Sequence, residues 1–175
     1  MRIANLSGRL VVLTDGGAVD VERASNGLFD VDPQAIYDRW DEFTAWAPQT
    51  ADLPGEPVDP VLLGSPAPRP HQVLAVGLNY LTHTAEASVE APTAPTVFAK
   101  LPTSVVGATT DVDLPTATVD WEAELAVVVG RRAWRVTESE AWTFVAGLTV
   151  GQDLSERTLQ FQGPAPQWVA LARTK

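Results

Sequence analysis

The sequence predicts an α+β chain, mostly β, with a small N-terminal α/β module. Three observations predict it. Short apolar runs, alternating or solidly aliphatic, recur along the chain as strands do. Helical periodicity is brief, and its clearest case carries Ile36, Trp40, Phe43 and Ala47 on one face. A belt with seven prolines fills residues 48–70, where neither a ladder nor a helix holds, so residues 1–70 separate there from residues 71–175.

Residues 2–24 read as short strands, with Leu10–Thr14 and Ala18–Glu22 flanking the hairpin turn Asp15-Gly16-Gly17. Asp32 and Pro33 make an N-cap and first-turn pair that opens a helix to about Ala47. The proline belt is a linker or a wrapping arm. Beyond it, Gln72–Leu78 alternates as a strand, and Leu81–Val89 is a short helix or a mobile lid. Thr96–Ala99 is a further strand, and residues 100–118 are rich in loops. Val119–Gly130 is the strongest strand of all. Thr137 and Glu140 form a capping box for a helix through Ala146, which Gly147 stops. Leu148–Gln152 is the last strand, and a helix starts within 154–162.

The chain has 175 residues and a formal net charge of −10, which repels phosphate backbones and argues against a nucleic-acid or anionic-membrane surface. Cysteine is absent and only His71 and His83 supply imidazole, so any metal must sit mainly on oxygen. No apolar stretch has the length of a signal peptide or membrane span, and a cytoplasmic location is the expectation.

Glu122 and Glu124 lie two apart on a strand, so their carboxylates share a face. Like charges so close disfavour each other unless a cation lies between them, but the same spacing suits an exposed strand end with two solvated acids. Asp153, at the end of the next strand, offers a third carboxylate. Such an oxygen set favours Mg²⁺ or Mn²⁺. If residues 81–89 are helical, His83 and Glu86 share a face and Glu86 can orient the imidazole as a base; an incidental surface pair has the same spacing. Arg157 and Gln160 could clamp a carboxylate or line the polar face of any helix. Lys100 and Lys175 are single lysines, a type usually solvated. Trp40 and Trp142 read as core packing rather than stacking platforms.

Taken in order, the blocks VGLNYLTHTAE (76–86), PTVFAK (95–100), VDWEAELAVVVG (119–130), VAGLTVGQDLSERTLQ (145–160) and QWVALARTK (167–175) resemble the fumarylacetoacetate hydrolase family. Its acylpyruvate hydrolases and 2-hydroxyhepta-2,4-diene-1,7-dioate isomerases are the relevant members. The resemblance implies a mixed β-roll, a homodimer and a small 2-oxo acid substrate. It implies Glu122, Glu124 and Asp153 as ligands of Mg²⁺ or Mn²⁺, and His83 with Glu86 as the pair that activates water. It implies Arg157, Gln160 and Lys175 as holders of the oxo-acid end, with Lys100 the lysine of the F-x-K block. The implied reaction is hydrolysis of a C–C bond in a 2,4-dioxo acid through a metal-stabilised enolate. Isomerisation of hydroxymuconate-type diacids and decarboxylation of oxaloacetate use the same enolate and are the alternatives.

Two features depart from the family pattern. Trp121 stands where Tyr or Phe is usual. The sequence ends at Lys175, before the Thr-Gly-Thr-Pro block that lines the family's site, so a truncated chain is expected, and a non-catalytic fragment or binding module is the alternative of another class. The unbroken run Leu125–Val129 requires cover on both faces in a full fold. In 175 residues with a proline-rich arm, an exposed apolar surface around it is therefore expected.

Overall fold

The computed structural model describes residues 1–86 and 90–164. It contains helices and sheets, with somewhat more strand than helix. Two compact units divide the chain. The first comprises Met1–Arg69, Val106–Asp111 and Ala123–Asp153; the second comprises Pro70–Val105, Val112–Glu122 and the residues from Leu154.

The first unit is built on an antiparallel sheet of β1 (Arg2–Leu6), β2 (Arg9–Thr14), β3 (Gly17–Asp20) and β4 (Leu63–Gly64), in the order β3-β2-β1-β4. Ser7 and Gly8, both at positive φ (53° and 82°), make the two-residue turn that pairs Leu6 with Arg9. The predicted hairpin forms, but its second strand ends at Asp20. There the Asp20 carboxylate accepts the Arg23 N–H at 3.0 Å and starts a one-turn helix, α1 (Val21–Ala24). The proline belt wraps. Glu56 exchanges backbone hydrogen bonds with Ala18 at 2.8 and 2.9 Å, and β4 pairs with β1. The fit is tight, since a Cβ on Gly17 would meet the Glu56 carbonyl at 2.5 Å.

The helix expected from Asp32 to Ala47 is present in pieces. Asp32 accepts the Gln34 N–H at 3.0 Å, and a 3₁₀ turn follows over Ala35–Arg39. Arg39, at φ −129° and ψ 31°, interrupts the helical geometry before α2 (Trp40–Trp46). A second 3₁₀ turn covers Ala47–Thr50. The predicted face survives the interruption. Ile36, Phe43 and Ala47 join Leu10, Val12, Val21 and Phe29 in one buried core, and Trp40 packs against it. Phe29 meets Phe43 edge to face, with centroids 5.5 Å apart.

In the second unit β5 (Val73–Gly77) and β6 (Thr96–Lys100) pair antiparallel, with Val73 opposite Lys100. The helix α3 (Leu81–Glu86) follows β5. Within it Thr84 is buried and its hydroxyl donates to the Leu81 carbonyl one turn back, at 2.8 Å.

A separate two-stranded sheet joins β7 (Val119–Val129) and β8 (Val145–Glu156). Gly130 N–H donates to Phe144 O at 2.8 Å and Arg157 N–H to Thr118 O at 3.0 Å, so the strands run antiparallel. These two bonds also explain two differences from expectation. The capping box of Thr137 and Glu140 forms and opens a 3₁₀ turn (Glu138–Phe144), which stops short of Ala146 because the ladder takes up the Phe144 carbonyl. At the other end β8 runs past Gln152 to Glu156, and helix α4 (Arg157–Gln160) starts only there. Asp153 is thus inside a strand rather than at its end. Leu125, Val127 and Val129 are 57%, 50% and 56% exposed, the apolar surface expected around this run.

Candidate functional site

From Glu122 onward the half-buried positions of β7 are Glu122, Glu124, Ala126 and Val128, so both glutamates share the more covered face. On β8 a Cβ on Gly151 would lie 3.7 Å from Ala126 Cβ and 4.0 Å from Glu124 Cβ. Asp153, two residues on and half-buried, lies on that same face of its strand. The alternation that puts carboxylates on one face also puts Leu125, Val127 and Val129 on the other.

The Arg157 guanidinium contacts Asp120, Glu122 and Gln160. Its Nε and Nη2 both donate to Asp120 Oδ2, at 3.1 and 2.8 Å. Nη2 also reaches Glu122 Oε1 at 2.6 Å, and Nη1 donates to Gln160 Oε1 at 2.9 Å. Burial works against the guanidinium charge, but Asp120 and Glu122 outweigh it and hold the Arg157 pKa above its ordinary value. Asp120 is held below the usual carboxylate range, first by Arg157, then by the Trp121 N–H, with a smaller contribution from the charge of His83.

Glu156 positions this arginine. Glu156 is 1% exposed and its side chain caps α4, accepting the N–H groups of Thr158 at 3.2 Å and Leu159 at 2.5 Å. The hydroxyls of Thr118 and Thr116 complete its shell, and these bonds, Thr118 first, lower its pKa to about 2. The carboxylate is therefore fixed and charged, and Arg157 is the next residue.

His83 is half-buried and Glu86 exposed, both on α3; among the described residues no hydrogen bond joins them. Lys100 is half-buried on β6, with its ammonium 5.7 Å from the Phe98 ring centroid. Lys175 lies outside the described residues. An open cleft of about 460 Å³ lined by Arg9, Glu22, Gly27, Phe29, Asp30 and Val31 holds none of these groups. Its Arg9 is already paired with Asp20 at 2.5 Å and Glu22 at 3.1 Å.

Among the described residues no three His, Asp or Glu side chains are grouped closely enough to hold a metal ion. The shared face expected of the carboxylates is present, whereas their convergence on one point is not. Glu122 faces a guanidinium instead. The donor chemistry still fits a hard cation, since three carboxylates on half-covered strand faces form an all-oxygen set. Sequence reasoning missed Asp120 and Glu156. The first was signalled by the Asp120, Glu122, Glu124 alternation, the second by an acid directly before a helix start.

Residues 72–174 match the profile of the fumarylacetoacetate (FAA) hydrolase C-terminal family. The chain belongs to this family. It is 40% identical over 121 residues to the human mitochondrial oxaloacetate tautomerase FAHD2A, a match covering 68% of this chain and 38% of that protein. Among solved structures it superposes on a Mycobacterium smegmatis protein assigned as HpcE, with TM-score 0.87 and 50% identity, over 98% of this chain and 61% of the other. A Mycobacterium abscessus protein assigned as 2-hydroxyhepta-2,4-diene-1,7-dioate isomerase gives TM-score 0.67 at 28% identity, covering 91% and 53%. The maleylpyruvate hydrolase of Sphingobium sp. SYK-6, solved with manganese(II) and pyruvate, shares the fold at TM-score 0.70 and 24% identity, covering 90% and 60%. The chain thus spans about 38% of the human relative's length and 61% of the M. smegmatis chain.

Proposed function

We propose that the protein belongs to a divalent-metal-dependent enzyme that cleaves a C–C bond in a small 2,4-dioxo acid of the acylpyruvate type. The observation that carries this reading is the acidic strand face beside an anchored arginine. Glu122, Glu124 and Asp153 are the residues that would hold Mg²⁺ or Mn²⁺. Bound there, the ion supplies positive charge against which the 2-oxo oxygen of a substrate can become negative.

The chain's own residues do the rest. Arg157 binds the substrate carboxylate with its fork, oriented by Asp120 and by the Glu156 cap behind it. Gln160, bonded to Arg157, fixes the remaining edge of that fork, and Lys100 and Lys175 add charge at the oxo-acid end. His83, with Glu86 as its partner, takes a proton from water as that water attacks the distal carbonyl. The C–C bond then breaks, its electron pair stays on the 2-oxo fragment as an enolate, and His83 returns the proton. The products are a carboxylic acid and a 2-oxo acid.

A second reading is favoured by the 40% identity to an oxaloacetate tautomerase. In it the same base removes a proton from C3 of a 2-oxo diacid and a proton is placed on the 2-oxo oxygen, or the reverse, with no C–C bond broken. Parallel assays separate the two. With Mg²⁺ or Mn²⁺ present, cleavage of an acylpyruvate supports the hydrolase, and loss of enol absorbance from oxaloacetate without cleavage supports the tautomerase. Neither reaction with either ion would overturn both.

A further inference from the structure

We propose that Arg157 is an exchangeable counter-ion: it holds Glu122 until a divalent ion takes that carboxylate, and Asp120 is the positioning residue that keeps the guanidinium anchored through the exchange. The inference rests on the reading of Glu122 as a metal ligand. Its basis is the distribution of the arginine's N–H groups. Nε and Nη2 converge on one oxygen of Asp120, Nη1 goes to Gln160, and the contact with Glu122 uses Nη2. Loss of the Glu122 contact therefore leaves the side chain tied at both edges.

The two states exclude each other electrostatically. A carboxylate engaged at 2.6 Å by a guanidinium is a poor ligand for a dication, because two positive charges would crowd one anion. Glu122 is only 23% exposed, so water screens this competition weakly. When an ion takes Glu122, the released Nη2 needs another anion, which the carboxylate of a 2-oxo acid provides. Ion and acid then favour each other's binding through a residue of the protein, beyond any direct contact between them.

Asp120 decides how readily the exchange occurs, since it competes with Glu122 for one guanidinium. Neutralising Asp120 leaves Arg157 more firmly on Glu122 and weakens ion binding. That effect needs the arginine. If Asp120 only contributed negative potential, its loss would weaken ion binding equally with or without Arg157.

The test is a Mn²⁺ titration of the full chain, without substrate, reading free Mn²⁺ by electron paramagnetic resonance. Wild type, Asp120→Asn, Arg157→Gln and the double variant form a cycle, with Glu122→Gln as reference. Arg157→Gln is expected to bind Mn²⁺ about tenfold tighter, Asp120→Asn several-fold weaker, and the double variant to match Arg157→Gln within about twofold. The same weakening by Asp120→Asn in both backgrounds, or no tightening in Arg157→Gln, would overturn the exchange while leaving the metal assignment intact. No Mn²⁺ binding by wild type, or binding that Glu122→Gln leaves untouched, would overturn the assignment and the exchange together.

Discussion

Turnover of a 2-oxo acid by His83→Ala is expected to fall by about 10²–10⁴-fold, the range that loss of a positioned base produces, with Mn²⁺ affinity unchanged. The expectation combines placement and chemistry. His83 sits on the short helix α3, and its charge acts on Asp120, the anchor of Arg157. An imidazole there can serve protons without belonging to the carboxylate set. Rates at saturating Mn²⁺ and a separate Mn²⁺ titration check both halves. Parallel loss of rate and ion binding would make His83 a ligand instead of a base.

Glu124→Gln is expected to weaken Mn²⁺ binding by at least the roughly 100-fold that marks the upper range for loss of a mere supporting partner. Gln keeps the shape and removes the charge, so the effect isolates ligation from packing. Glu124 is half-buried on β7, its Cβ 4.0 Å from where a Cβ on Gly151 would lie. Calorimetric titration with Mn²⁺ checks the prediction, and a change under threefold would remove Glu124 from the ligand set.

Much of this architecture was legible in the sequence because it depends on local chemistry. The turn at Asp15-Gly16-Gly17, the apolar spacing of Ile36, Phe43 and Ala47, and the alternation that puts Glu122 and Glu124 on one face all act over a few residues. The errors arose where distant groups decide. Val145 and Ala146 leave the predicted helix for β8, where Gly130, far back in the chain, already claims the Phe144 carbonyl. Helix α4 begins late because Arg157 N–H still bonds Thr118. Val21 and Glu22 continue the strand pattern in sequence, whereas the Asp20 carboxylate caps a helical turn there.

The candidate site divides in the same way. Residue types and order singled out Arg157 and Gln160, and their spacing of three does bring them together at 2.9 Å. What spacing could not express is partner choice. Arg157 has Glu122, Asp120 and Gln160 within reach, and this competition depends on the pairing of β7 with β8. The buried Glu156 shell needs Thr116 and Thr118 from 40 and 38 positions away.

Hydrolysis and tautomerisation both require negative charge to develop at the 2-oxo position, so exchange of the C3 protons of a 2-oxo acid with solvent tests the account most directly. The measurement is deuterium incorporation at C3 of pyruvate in D₂O, followed by proton NMR with the protein and Mg²⁺ or Mn²⁺. The account predicts exchange well above that of the ion alone, abolished by a chelator and strongly reduced in both Glu124→Gln and His83→Ala. Exchange at the rate of the protein-free solution, or exchange that neither substitution alters, would contradict it.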